Sequence, residues 1–89
     1  MAALSRQYIE DLLTLLRATT PGPWTSFVEG RDHESGSSFI RTRTADIELS
    51  AATPADQDFM ARAHQDIPLL IAEIERLEAL LAGMQTAAE

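Results

Sequence analysis

Asp32-His33-Glu34 sets a titratable base between two carboxylates, the makings of a metal site or an acid–base group. Consecutive residues rarely converge on one ion, and no second cluster completes a coordination set, so the expectation is a solvated loop without a metal. His64 lies four residues after Met60 and reads as a half-exposed surface or interface histidine. Asp56, Asp58 and Asp66 look like catalytic carboxylates only until their positions are considered. Asp56 and Asp66 fall where helix caps and first-turn acids belong. Ser35, Ser37 and Ser38 have no Gly-x-Ser-x-Gly elbow, no nearby base and no lysine to activate them. No glycine loop that could cradle phosphate is present. Neither an enzyme nor a cofactor is expected. Arg31, Arg41 and Arg43 with Trp24 are the remaining candidates, since arginine forks beside a stacking ring can capture an anion. The favoured alternative is cross-strand pairing of these arginines with Asp46 and Glu48.

These residues sit in 89 positions, enough for one domain with a small core. Such a chain usually gains margin from disulfides, a metal or a partner subunit. There is no cysteine, which removes disulfides and thiolate zinc sites and leaves oligomerisation. A formal charge of −7 argues against direct nucleic-acid binding and against anionic membrane surfaces. All the basic residues are arginine and alanine is plentiful, which reads as the codon bias of a GC-rich genome. Met1-Ala-Ala-Leu-Ser-Arg has no basic stretch followed by an apolar one, so no signal peptide is expected. No apolar run approaches the ~20 residues of a membrane span. A cytoplasmic protein is the expectation.

The pattern predicts an α+β domain: an N-terminal helix, a small antiparallel β-meander of two to three strands, and two C-terminal helices. Helix one occupies residues 1–18, regular from Arg6 to Ala18, with Ser5 as N-cap and Ile9, Leu12, Leu13 and Leu16 as its buried stripe. Thr19-Thr20-Pro21-Gly22-Pro23 ends it. Trp24 is expected to anchor the core where this helix meets the sheet. The meander covers 24–51, with Gly30 to Ser38 as a polar surface loop. With Thr44-Ala45 as a two-residue hairpin loop, Ile40 faces Leu49 and Thr42 faces Ile47 on the buried side. Arg41 then meets Glu48, and Arg43 meets Asp46. Thr-Ala lacks the Gly or Asn of tight turns, so a slip or a longer loop stays open.

Thr53-Pro54-Ala55-Asp56 is a helix start with a capping hydroxyl and an acid three residues on. Helix two is placed at 54–65 with Phe59, Met60 and Ala63 as its apolar face. Asp66 caps helix three at 67–82, Pro68 sits in its first turn, and Gly83 stops it. A kinked continuous helix is the alternative. Residues 85–89 are expected to fray. Ile67, Leu70, Ile74, Leu77, Leu81 and Met84 recur in 3-4 steps as an oligomer seam. Ile at the first heptad position with Leu at the fourth favours a parallel two-stranded coil. Leu69, Ile71 and Leu80 add a second apolar flank, so one flank can pack within the chain while the other packs across a dimer.

Thr20-Pro21-Gly22-Pro23-Trp24 after an amphipathic helix, then Asp56-x-Asp58-Phe59-Met60-Ala61-x-Ala63 and Asp66-Ile67-Pro68-x-Leu70-Ile71-x-Glu73-Ile74-Glu75-x-Leu77, together resemble small bacteriophage and prophage proteins. Those proteins carry Thr-Pro-Gly-Pro-Trp and an Asp-x-x-Phe-Ile-Ala…Pro-x-Leu-Leu-x-Glu-Ile-Glu-x-Leu tail, part of which Ead-type early phage proteins share. Met60 stands where they more often have Ile. The resemblance covers nearly the whole chain and implies a phage accessory context, with no activity and no catalytic residues. The leading expectation is a homodimer or higher homo-oligomer that binds a host or phage protein, with a counter-defence role in view. The first alternative is a protein that sequesters an anionic, nucleotide-like ligand at Arg31, Arg41, Arg43 and Trp24. The second is an acidic nucleic-acid mimic, for which Asp66, Glu73, Glu75 and Glu78 would have to line up.

Overall fold

A computed structural model describes residues 4–88. Met1–Ala3 and Glu89, with the part of the N-terminal reading and of the expected frayed tail that falls on them, lie outside the described residues. The order is α1 (Arg6–Ala18), β1 (Thr25–Phe27), β2 (Phe39–Arg41), β3 (Asp46–Glu48) and α2 (Pro54–Ala88), an α+β fold. The strands form one antiparallel sheet in the order β1-β2-β3.

Local chemistry sets the helix starts as expected. The Ser5 hydroxyl accepts from the Tyr8 amide and caps α1. At the start of α2 the Asp56 amide donates to Thr53 Oγ1, and the Thr53 amide donates back to the Asp56 carboxylate, a reciprocal capping box.

The expected break near Asp66 is absent. One helix of 35 residues runs through Pro68 and through Gly83, so the described residues form two helices and not three. Proline removes one amide donor from the ladder and crowds the carbonyl four residues back, a local cost carried where α2 is packed on both sides of it, at Ala61 and Ile71. Asp66 is therefore no cap; mid-helix, it pairs with Arg62 one turn earlier. Gly83, with open space around it, does not end the helix, and Gln85 to Ala88 remain helical.

The hairpin register also differs. Phe39 pairs with Glu48, Ile40 with Ile47 and Arg41 with Asp46, two residues from the expected alignment. Thr42 is the cause. Its hydroxyl donates to the Ala45 carbonyl at 2.6 Å and accepts from the Ala45 amide at 3.0 Å, closing the turn with a side chain. Thr42 is thus buried in the turn and does not face Ile47. A slip of two keeps every side chain on its own face, so Ile40 still points inward.

The core lies where α1 and the sheet rest on one side of α2, and its buried apolar members are Ile9, Val28, Ile40, Ala61 and Ile71. Phe59 and Met60 were expected to face inward on α2, but they are 73% and 37% exposed. Gln57 and Ala61, one turn apart, take the inner positions. The molecule measures 64 × 22 × 21 Å, because α2 outruns everything packed against it.

Candidate interaction surface

Gln57 fixes the first turn of α2 on the sheet. It is 1% exposed, and its amide nitrogen donates to Ser26 Oγ, the Phe27 carbonyl and the Phe39 carbonyl at 2.9–3.0 Å. It thereby joins β1 and β2 to α2 through one side chain. Asp58, in the same turn, receives both guanidinium nitrogens of Arg31 at 2.7 and 3.0 Å. Arg31, with the Ser26 hydroxyl second, holds the Asp58 carboxyl down at about 2. Arg31 also donates to Asp32, whose carboxylate accepts the Val28 amide. Asp32 and Asp58 are therefore structural clamps on the 28–38 loop.

His64 fixes the end of α1. Thr19 Oγ1 donates to the Leu16 carbonyl, which leaves it to accept from His64 Nε2 at 2.8 Å. The imidazole stacks on Trp24 with ring centres 3.9 Å apart and planes within 2°. Burial lowers the His64 pKa, consistent with a neutral ring. The Thr20–Trp24 segment wraps it: Trp24 Nε1 donates to the Thr20 carbonyl, the Gly22–Pro23 bond is cis, and a Cβ at Gly22 would stand 3.4 Å from the imidazole. Trp24 thus clasps α1 to α2 and is only half-buried, not the core anchor its type implied. At the other end of α1, Arg6 donates to Glu75 at 3.0 Å. Between these ties Ile9 and Ile71 are buried.

The candidate anion residues do not share one pocket. Arg31 is engaged by Asp58 and Asp32. Arg41 reaches Asp46 at 3.3 Å and lies over the stacked Phe27 and Phe39 rings. Arg41 thus pairs with Asp46, not Glu48, as the register requires. The Arg43 amide donates to the Pro21 carbonyl, and Arg43 lines a hollow at the β2–β3 turn with Arg41 and Asp46, to which Arg31 and Trp24 do not contribute. His33 Nδ1 meets the Ser35 carbonyl at 2.7 Å while Nε2 is buried without a partner. Among the described residues no three His, Asp or Glu side chains could hold a metal ion. No described helix is long and apolar enough to cross a membrane.

What stays open is one side of α2. Gln57, Ala61, His64 and Ile71 turn toward α1 and the sheet, whereas Phe59, Leu70, Leu77, Leu81 and Met84 are 48–73% exposed. Ile67 and Ile74 lie half-buried at the border between the two sides. The six seam residues therefore fall beside the internal face, with Phe59 and Ala63 as an upstream extension that periodicity had assigned to the core. Phe59, Ala63, Ile67 and Leu70, with Arg62 and Asp66 on the rim, line a hollow of about 260 Å3. Beyond Glu75 the helix projects with Leu77, Leu80, Leu81 and Met84 outward. Of the flank residues, Ile71 is buried, while Leu69 and Leu80 are 68% and 54% exposed. Tyr8 and Leu15 on α1, with Leu4 just before its cap, form a second, smaller exposed stripe.

No family model, curated protein or solved structure matches the chain.

Proposed function

We propose that this protein is a non-enzymatic interaction module that assembles as a homodimer or higher homo-oligomer through the open side of α2. In this reading it is a phage or prophage accessory protein that acts in the cytoplasm on a host or phage protein, in the service of counter-defence. The phage context rests on the Thr-Pro-Gly-Pro-Trp and helical-tail resemblance. The assembly rests on one observation: a band of large apolar side chains running from Phe59 to Met84 without cover. An isolated helical end of about a dozen residues is marginal in water, so the segment beyond Glu75 calls for a partner. Each half-exposed Leu or Met there regains roughly 1 kcal/mol when covered. The formal charge of −7 steers the assembled protein toward basic surfaces.

Ligand sequestration takes second place, because two of its three arginines are already paired with carboxylates. Native mass spectrometry of untagged protein tests both readings. An integral multiple of the chain mass is the expected result, and a monomer throughout the micromolar range contradicts the proposal. A reproducible extra mass lost on denaturation would favour a bound ligand.

A further inference from the structure

We infer that two copies pair in antiparallel register, the projecting end of each α2 seated in the Phe59–Leu70 hollow of the other. This rests on the homo-oligomer reading and adds the orientation. The band is self-complementary about Ala72. Laid antiparallel around that point, Leu70 meets Ile74 of the second copy, Ile67 meets Leu77, Ala63 meets Leu81, and Phe59 with Met60 meets Met84. The hollow opens over Ala63, the one small residue of the band. Antiparallel pairing puts Leu81 there, whereas parallel pairing sets Ala63 against Ala63 and leaves a void.

Charge points the same way. In heptad terms a parallel pair brings Glu73 against Glu78 of the other copy twice over, flanking the seam. The antiparallel pair brings Glu73 near its own symmetry mate once, and sets Asp66 beside the uncharged Leu80. It also sends the two acidic sheet ends to opposite ends of the assembly. The Ile/Leu preference for parallel coils applies to helices free on both flanks, and here Ile71 is already turned onto α1.

Extent supplies a third argument. From Phe59 to Met84 the band is ~38 Å long, so pairing along all of it covers roughly 500 Å2 per copy, which reaches the ~1,000 Å2 total at the lower limit for a specific interface. A partner filling the hollow alone would cover about half of that. Each copy offers one hollow and one end, so a two-fold axis closes the assembly and leaves no surplus end.

The chain has no cysteine, which makes cross-linking clean. Met60→Cys and Met84→Cys variants would be oxidised separately, and also after being unfolded and refolded together, with sedimentation of the wild type alongside. The expected result is a disulfide-linked heterodimer in the mixture, at least tenfold above any link formed by either variant alone. Met84→Cys linking to itself overturns the orientation. So does the absence of any link while the wild type sediments as a dimer; both results leave the assembly standing. A wild type that sediments as a monomer overturns orientation and assembly together.

Discussion

At Gln57 one amide nitrogen serves three acceptors from two strands, so its removal orphans buried polar atoms without opening much space. A Gln57→Leu variant of similar size is expected to lose about 3 kcal/mol by urea unfolding, because unpaired buried groups cost more than a lost bond. Apolar periodicity gave no sign of this residue, since its partners are about twenty to thirty positions away in sequence. His64 makes a different prediction. Its folded pKa lies below the ordinary 6.5, so the unfolded chain takes up the proton first. The stability it contributes is complete above about pH 6.5 and is lost as pH falls through the folded value. Urea midpoints should therefore drop between pH 7 and 5, and His64→Phe, which keeps a ring on Trp24, should flatten that slope at a lower starting stability. Asp58 acts further down. Its carboxyl is lowered from 3.8 to about 2, so the Arg31 clamp contributes above 3.8 and fails as pH falls toward 2.

Elements whose cause is local were legible in the chain. Ser5 and the Thr53–Asp56 box capped their helices as read, and three short strands appeared within 24–51. Where the deciding contact is distant or is a side chain in a turn, the pattern misled. The Thr42 hydroxyl moved the hairpin by two residues. Asp66 and Pro68 spelled a helix start, yet α2 runs unbroken through them, with Ala61 and Ile71 buried on either side. Inside the continuous α2, Pro68 costs a backbone hydrogen bond and crowds the carbonyl four residues earlier. Pro68→Ala should then raise stability by about 1–3 kcal/mol and leave the helical circular dichroism unchanged or slightly stronger. A loss of stability would mean that the proline serves a break. The periodic residues Ile67 to Met84 lie along the open side of α2, but the extension of that side through Ala63 to Phe59 was hidden because Phe59 reads as core until Gln57 and Ala61 take the inner positions.

Across the whole molecule, a 64 Å helix-led shape with a small core and an uncovered apolar band makes sense if the fold is completed by another copy. The unfolding temperature should then rise with protein concentration, as for any subunit stabilised by association. The most direct test is sedimentation equilibrium of the wild type beside Leu77→Asp, whose side chain is 48% exposed and lies beyond the segment packed on α1. The account predicts twice the chain mass for the wild type at micromolar concentration. It predicts a folded monomer for the variant, with its circular dichroism retained. A wild type at the mass of one chain, or a variant that still sediments with the wild type's mass, would contradict the claim that this band joins the copies.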